Sequence, residues 1–274
     1  MLKIMKFLPG INILSSSGGL YRTTALSYYC PMSRYTRAEG IILRSVRSGE
    51  YHKALTILTP EEGILRATAF GAYKGKSKLS GATEVFTEGT FFLYRNPVKE
   101  QVKVSDIAPA DVHEGVRQDL ERLYIASFWA ELLIKTYGGG GEYSRLFRFF
   151  RRALGYLESV PEEELELLRL QFFWRYIEFM GMLPSLEECA VCGRGIESEE
   201  TMYLGEGELL CGECAPVNTA ALAPAARRYL LETAEVPFSR AREAAPERRV
   251  IQGLLGFSYA FAETVVGTTF NSLK

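Results

Sequence analysis

"EGIILRSVRSGEYHKALTILTPEEGILRATAFGAY" spans residues 39–73. Its first two apolar runs, "EGIILRSV" and "YHKALTILT", are β-rich and are joined by Arg47-Ser48-Gly49-Glu50, a turn signal. "TPEEG" at 59–63 puts proline at the second turn position and glycine at its end, which suits a type I turn closed by a left-handed residue. "ILRATAFGAY" then reads as a third strand, "GTFFLYR" as a fourth and "EQVKVSDI" as a fifth. Five short strands in so small a span predict a closed barrel, because closure removes exposed edges. An OB-fold leads, although periodicity alone does not separate it from an SH3-like barrel.

The loop after the third strand, "GAYKGKSKLSGATEVF", invites a phosphate-loop reading. A P-loop needs four residues between its glycines, then Gly-Lys-Ser/Thr and a helix. Gly71 and Gly75 enclose three, and Gly81 follows before a helix can grow, so no nucleotide is expected. What remains is a basic loop bearing Lys74, Lys76 and Lys78, with Arg44, Arg47, Lys53 and Arg66 flanking it in sequence. Residues 33–106 carry 12 Lys/Arg against 8 Asp/Glu. Basic residues beside Tyr51, Phe70 and Tyr73 on a barrel have the composition of a single-strand nucleic-acid groove. An ordinary solvated charged loop is the competing reading.

From about residue 111 the chain reads as helical. "GVRQDLERLYIASFWAELLIKTYGGGG" reads as one helix of more than six turns. In "YSRLFRFFRRALGYLES", Leu146, Phe149, Phe150, Ala153 and Leu157 make one apolar face. Arg145, Arg148, Arg151 and Arg152 fall opposite, with no acidic residue among them. Such a face can bind phosphate or simply be solvated. "PEEELELLRLQFFWRYIEFMG" opens with proline and three glutamates and is apolar nearly all round, so it is expected at the centre of a bundle. Two more helices are expected near 222–235 and 247–266.

Within the helical part, "ECAVCGRGIESEETMYLGEGELLCGECAP" at 188–216 holds four of the chain's five cysteines. Cys189, Cys192, Cys211 and Cys214 follow C-x2-C-x18-C-x2-C, the spacing of a four-cysteine zinc site. Gly193 and Gly212 follow one cysteine of each pair, where a knuckle often needs positive φ. Four thiolates make a closed shell, so the zinc is expected to be structural. Disulfides or a duplicated redox motif are the alternatives. The segment between the pairs reads as a small hairpin about Gly205-Glu206-Gly207.

The chain has 274 residues, is 47% hydrophobic and carries a net charge of −1. That is enough to bury a core, and no apolar run is long enough to span a bilayer. Scarce cysteine outside the cluster suits a reducing cytosol. Residues 1–32 read as an extension foreign to the rest of the chain, either disordered or a mis-called start ahead of Met32, and the isolated Cys30 is expected to have no role.

These features together resemble the RecO family of bacterial DNA repair and recombination mediators. The residues that carry the resemblance are 39–86, "RLYIASFWAELL" at 122–133 and "LRLQFFWRYIEFMGMLPSLEECAVCGR" at 168–194. It covers the chain from about Tyr35 to the C-terminus. The resemblance implies an α+β chain: an OB-like five-stranded barrel at 33–110, then a helical domain at 111–274 with a zinc module at 187–216. It implies binding to single- and double-stranded DNA, strand annealing, and partnership with RecR and the single-strand binding protein SSB. It implies a cytoplasmic, nucleoid-associated protein with no catalytic residues. The basic positions that match are Arg44, Arg66, Lys74, Lys76 and Lys78, with Arg145, Arg148 and Arg152 as a second candidate DNA surface. The extension departs from the family pattern, and the segment before the fourth strand is short for the helix an OB-fold carries there. A zinc-ribbon protein of transcription or translation is the alternative.

Overall fold

The computed structural model describes residues 34–74, 77–136, 141–267 and 269–270. The expectations for residues 1–32, Cys30 and Lys76 lie outside them. Five strands build the N-terminal part: β1 (Tyr35–Ser48), β2 (His52–Thr59), β3 (Gly63–Ala69), β4 (Glu88–Asn96) and β5 (Gln101–Asp111). They close in the order β1-β2-β3-β5-β4 and back to β1. All neighbours are antiparallel except β3 and β5, which run parallel through Thr68 and Lys103. This is the OB-like barrel.

The turns form for the reasons the residues suggest. Gly63 takes φ +69° at the end of the "TPEEG" turn. Thr59 Oγ1 accepts the Glu62 N–H and donates to the Gly63 carbonyl, both at 3.1 Å. Gly49 takes φ +66° between β1 and β2. Strand β1 is long because it serves two neighbours: residues 35–41 pair with β4 and 41–48 with β2. Its register shifts between Ile42 and Arg44, and a bulge there supplies the bend. At that corner Gly40 faces Gly89. A Cβ on Gly89 would sit 2.3 Å from the Ala108 carbonyl oxygen, and one on Gly40 2.5 Å from an Ile57 methyl. Two glycines therefore let β1 approach β2, and β4 approach β5, closely. Inside, Ile42, Leu55, Ile57, Phe91, Leu93 and Ile107 are buried. Each contributes about 1.5–3 kcal/mol of burial. A single helical turn, α1 (Leu79–Ala82), stands between β3 and β4, with Leu79 buried in the barrel core.

The helical part holds α2 (Glu114–Gln118), α3 (Leu120–Lys135), α4 (Tyr143–Ser159), α5 (Leu165–Phe179), α6 (Pro224–Thr233), α7 (Phe238–Glu243) and α8 (Arg248–Val266). The single long helix expected over the first stretch is instead two. Asp119 is extended (φ −102°, ψ 121°), and its carboxylate accepts the Arg122 N–H at 3.0 Å. An N-cap aspartate thus starts a new helix where apolar periodicity alone continues. Arg122 in turn donates to the Leu157 and Val160 carbonyls at the end of α4. Helix α5 is the centre of the bundle. Phe172 stacks on Trp129 at 4.2 Å and on Phe149 at 4.9 Å. Helix α7 was not apparent in the sequence.

Between α5 and α6 lies a small sheet of β6 (Met202–Gly205), β7 (Glu208–Leu210) and β8 (Ala221–Leu222), in the order β7-β6-β8. The expected hairpin is β6–β7. Glu206 and Gly207 both take positive φ, +52° and +86°, the signature of a type I′ turn.

Barrel and helices share one core. Ile41, Leu43, Leu58 and Phe86 of the barrel pack in a cluster with Trp129, Phe150 and Phe172 of the helices. Gly89→Ala should lower stability in urea unfolding by about 2 kcal/mol or more, as overpacking does. Gly81→Ala, with nothing within 4 Å of its added Cβ, should be close to neutral. Equal stability of both variants would show that the strand crossing tolerates a side chain.

Candidate functional site

Two sites emerge: a face of the barrel and the cysteine cluster. The barrel face is set by strand alternation. On β2, Lys53, Leu55 and Ile57 turn inward, so His52, Ala54 and Thr56 turn outward. On β3, Arg66 is exposed between buried Leu65 and Ala67. Register aligns these in rows: Arg44 opposes Thr56, which opposes Arg66. The next row is Val46, Ala54 and Thr68. Arg44, Val46, Thr56, Arg66, Thr68 and Lys99 line an open groove across the three strands. Further along the same face, Phe70 lies against His52 at 4.7 Å, with Lys103 Nζ 4.9 Å from the Phe70 ring. Lys74 lies 5.8 Å from the Tyr51 ring, and Arg47 5.5 Å from that of Tyr73. Tyr51, Phe70 and Tyr73 are 49%, 41% and 47% exposed, large values for aromatic rings.

Arg44 and Arg66 thus lie together in the groove, and Lys74 lies at its aromatic end, where it lines a hollow with His52 and Phe70. Lys78 is exposed at the start of α1. Lys53 departs from the reading of it as a flanking surface charge. It is buried and donates to Glu84 at 2.6 Å, closing the barrel end beside Tyr73. Lys99 and Lys103 were missed. Lys103 reaches the face only because β5 pairs in parallel with β3, a non-local pairing that its own alternating strand does not announce.

Arg145, Arg148 and Arg152 are exposed on α4. The arginine face does have acidic partners, from just before the helix and from the barrel. Arg145 pairs with Glu142 at 3.0 Å, and Arg151 with Glu88 at 2.8 Å. Arg148 donates to Ser144 at 2.7 Å. Arg152 instead lines a pocket of about 170 Å³ with Phe149, Tyr156, Phe172, Arg175 and Phe238. Arg175 is held there by bonds to Gln171 and the Val236 carbonyl, and burial lowers its pKa.

All four cysteines of the cluster carry free thiols, and their sulfurs lie within 4.8 Å of one another. Cys192 Sγ is 3.9 Å from Cys211 Sγ. A disulfide needs about 2.0 Å, whereas metal–sulfur bonds of about 2.3 Å place tetrahedral ligands about 3.8 Å apart. The cluster can hold a metal ion. Gly193 takes φ +70° as expected of a knuckle, and its N–H donates to the Cys189 carbonyl at 2.9 Å. Gly212 does not take positive φ. The second knuckle closes without it, through Cys214 and Ala215 N–H groups on the Cys211 carbonyl. Backbone N–H groups, that of Cys192 foremost and then that of Cys211, pull the Cys189 thiol down to about 6. The Cys214 N–H likewise lowers Cys211. Contact with Cys211 and Cys192 pushes Cys214 up to about 12. The backbone therefore favours the Cys189 and Cys211 thiolates while neighbouring sulfurs oppose that of Cys214, and a cation is what lets all four be charged.

Models of the Recombination protein O N-terminal and C-terminal domains match residues 32–110 and 117–274. The chain belongs to the RecO family. It is similar to the DNA repair protein RecO of Rubrobacter xylanophilus, with 30% identity over 75% of this chain and 83% of that one. It is 29% identical to that of Alkaliphilus metalliredigens over 67% of this chain and 73% of the relative. For Desulforamulus reducens the figures are 32%, 65% and 68%. RecO-family membership makes this a DNA repair protein and sets aside the zinc-ribbon alternative. Among the described residues, no helix is long and apolar enough to cross a membrane.

Proposed function

We propose that the protein is a non-catalytic recombination mediator that binds single- and double-stranded DNA, anneals complementary strands and acts with RecR on SSB-coated DNA in the bacterial cytoplasm. The observation that carries this reading is the outward face of β1–β3. Its Arg44 and Arg66 row leads to the exposed Phe70 ring beside Lys103, and the adjoining barrel end carries exposed Tyr51 and Tyr73 beside Lys74 and Arg47. Guanidinium and ammonium groups neutralise phosphates without reading sequence, and each stacked base adds about 1–3 kcal/mol on an aromatic ring. Lys74 and Lys78 extend the cationic edge, and Lys76 belongs to the same loop in sequence. Arg145, Arg148 and Arg152 form the second candidate surface, with Arg152 the member that borders the pocket.

Binding energy alone drives such a mediator: it holds the coating protein, holds the DNA and lets complementary strands meet. An acidic, apolar tail such as the family resemblance assigns to SSB needs an apolar pocket with a basic rim. Phe149, Phe172 and Phe238 with Arg152 and Arg175 have that chemistry. Arg227, Arg228, Arg248 and Arg249 of the later helices are less suited to such a rim. Arg227 is buried on the Ile196 and Glu197 carbonyls, and the other three pair with glutamates. The metal of the cysteine cluster is structural zinc, held by Cys189, Cys192, Cys211 and Cys214. Zinc shells of four cysteines leave no position for substrate.

Three outcomes are expected. One zinc per chain should copurify, and Cys211→Ser should lower both zinc content and thermal stability. Metal-free protein of full stability would contradict this. Arg44→Ala with Arg66→Ala should flatten the log–log salt dependence of single-strand binding by about 1.4, at about 0.7 per lost contact. An unchanged slope would move the DNA surface to α4. A peptide copying the SSB tail should bind the whole chain, and Arg152→Glu should weaken it about tenfold, a loss of about 1.4 kcal/mol. The whole chain is required because barrel and helices share a core. Undiminished binding would exclude the pocket.

A further inference from the structure

We propose a second cation site where the barrel meets the helices, with Asp111, His113 and Glu158 as ligands for a divalent first-row ion. The three come from different places: Asp111 ends β5, His113 lies in the linker, and Glu158 is in the last turn of α4. Their donor atoms lie within 4.8 Å of one another. His113 Nδ1 is 3.3 Å from Glu158 Oε2 and 3.9 Å from Asp111 Oδ2. An ion at about 2.1 Å from each donor suits separations of about 3–4 Å, so any wider pair has only to draw in slightly.

Each ligand is already aimed. Asp111 Oδ1 accepts the His113 N–H at 2.8 Å, and Glu158 Oε1 accepts the Gly115 N–H at 2.8 Å. Each carboxylate thus has one oxygen fixed on backbone and the other turned toward Nδ1. Backbone hydrogen bonds of this kind orient metal ligands. His113 is held at φ 45°, an uncommon conformation, and is only 3% exposed. Asp111 is half-exposed, which leaves the site open to ion and water.

The independent observation is the other ring nitrogen. His113 Nε2 is buried with no hydrogen-bond partner. It faces Glu88 Oε2 at 3.9 Å, and Glu88 Oε1 is engaged by Arg151. A neutral ring that donates from Nδ1 to Glu158 turns a bare Nε2 lone pair toward that carboxylate. An ion on Nδ1 moves the ring proton to Nε2, where Glu88 can accept it. Metal-bound histidines commonly have this carboxylate behind them. Two carboxylates and one imidazole suit Mn²⁺, Fe²⁺, Co²⁺, Ni²⁺ or Zn²⁺ rather than a soft ion. Bound there, the ion would tie β5 to α4 and fix the barrel on the helices.

Mn²⁺ is the probe, because the thiolate cluster disfavours it. Electron paramagnetic resonance on the zinc-loaded full chain should show saturable uptake of one Mn²⁺ per chain. Glu158→Gln and Asp111→Asn keep the oxygens that accept backbone N–H groups, and each should weaken uptake about tenfold or more. Mn²⁺ should raise the melting temperature of the wild type and not of Glu158→Gln. No saturable uptake, or uptake equal in the variants, would overturn the proposal. So would a loss of stability in the variants with no dependence on Mn²⁺, which would identify the cluster as a proton-bridged ion pair alone.

Discussion

Ile41, Leu43, Leu58 and Phe86 carry the barrel's hydrophobic surface into the same core as Trp129, Phe150 and Phe172. That shared core is the constraint from which the functional geometry derives. It commits one part of the barrel to the helices, so β1, β2 and β3 must present their basic outward rows elsewhere, to solvent. It also sets α4 against the barrel, where Arg151 reaches Glu88 and Tyr143 lies against Gly63. The barrel and the arginine helix are therefore parts of one compact body rather than beads on a linker.

The barrel was legible because its signals are local. Alternation on β2 and β3, the "TPEEG" turn and the glycine-rich loop each act within a few residues. The cysteine spacing was legible for the same reason, and the sulfurs do converge. What escaped were consequences of non-local pairing. Lys53 reads as a surface charge until strand closure buries it on Glu84. Lys103 joins the aromatic face only through its parallel neighbour β3, with all of β4 intervening in the chain. Asp119 split a helix because a capping carboxylate outweighs an apolar pattern that continues through it.

The two ends of the basic face differ in chemistry, and the difference bears on the annealing role proposed above. Arg44 and Arg66 present charge with threonine between them. Tyr51, Phe70 and Tyr73 present rings bordered by cations. Phosphate contacts hold a strand in place, and rings hold bases that a second strand must later reclaim. The proposed mediator role needs stacking weak enough to surrender, and partly exposed rings meet that requirement better than a deep cleft.

Ultraviolet cross-linking of single-stranded DNA to the intact protein, with the cross-linked peptides mapped by mass spectrometry, tests this account most directly. Cross-links concentrated on Tyr51, Phe70 and Tyr73 are predicted. Cross-links confined to α4 or to the cysteine module, with those three rings unmodified, would contradict it.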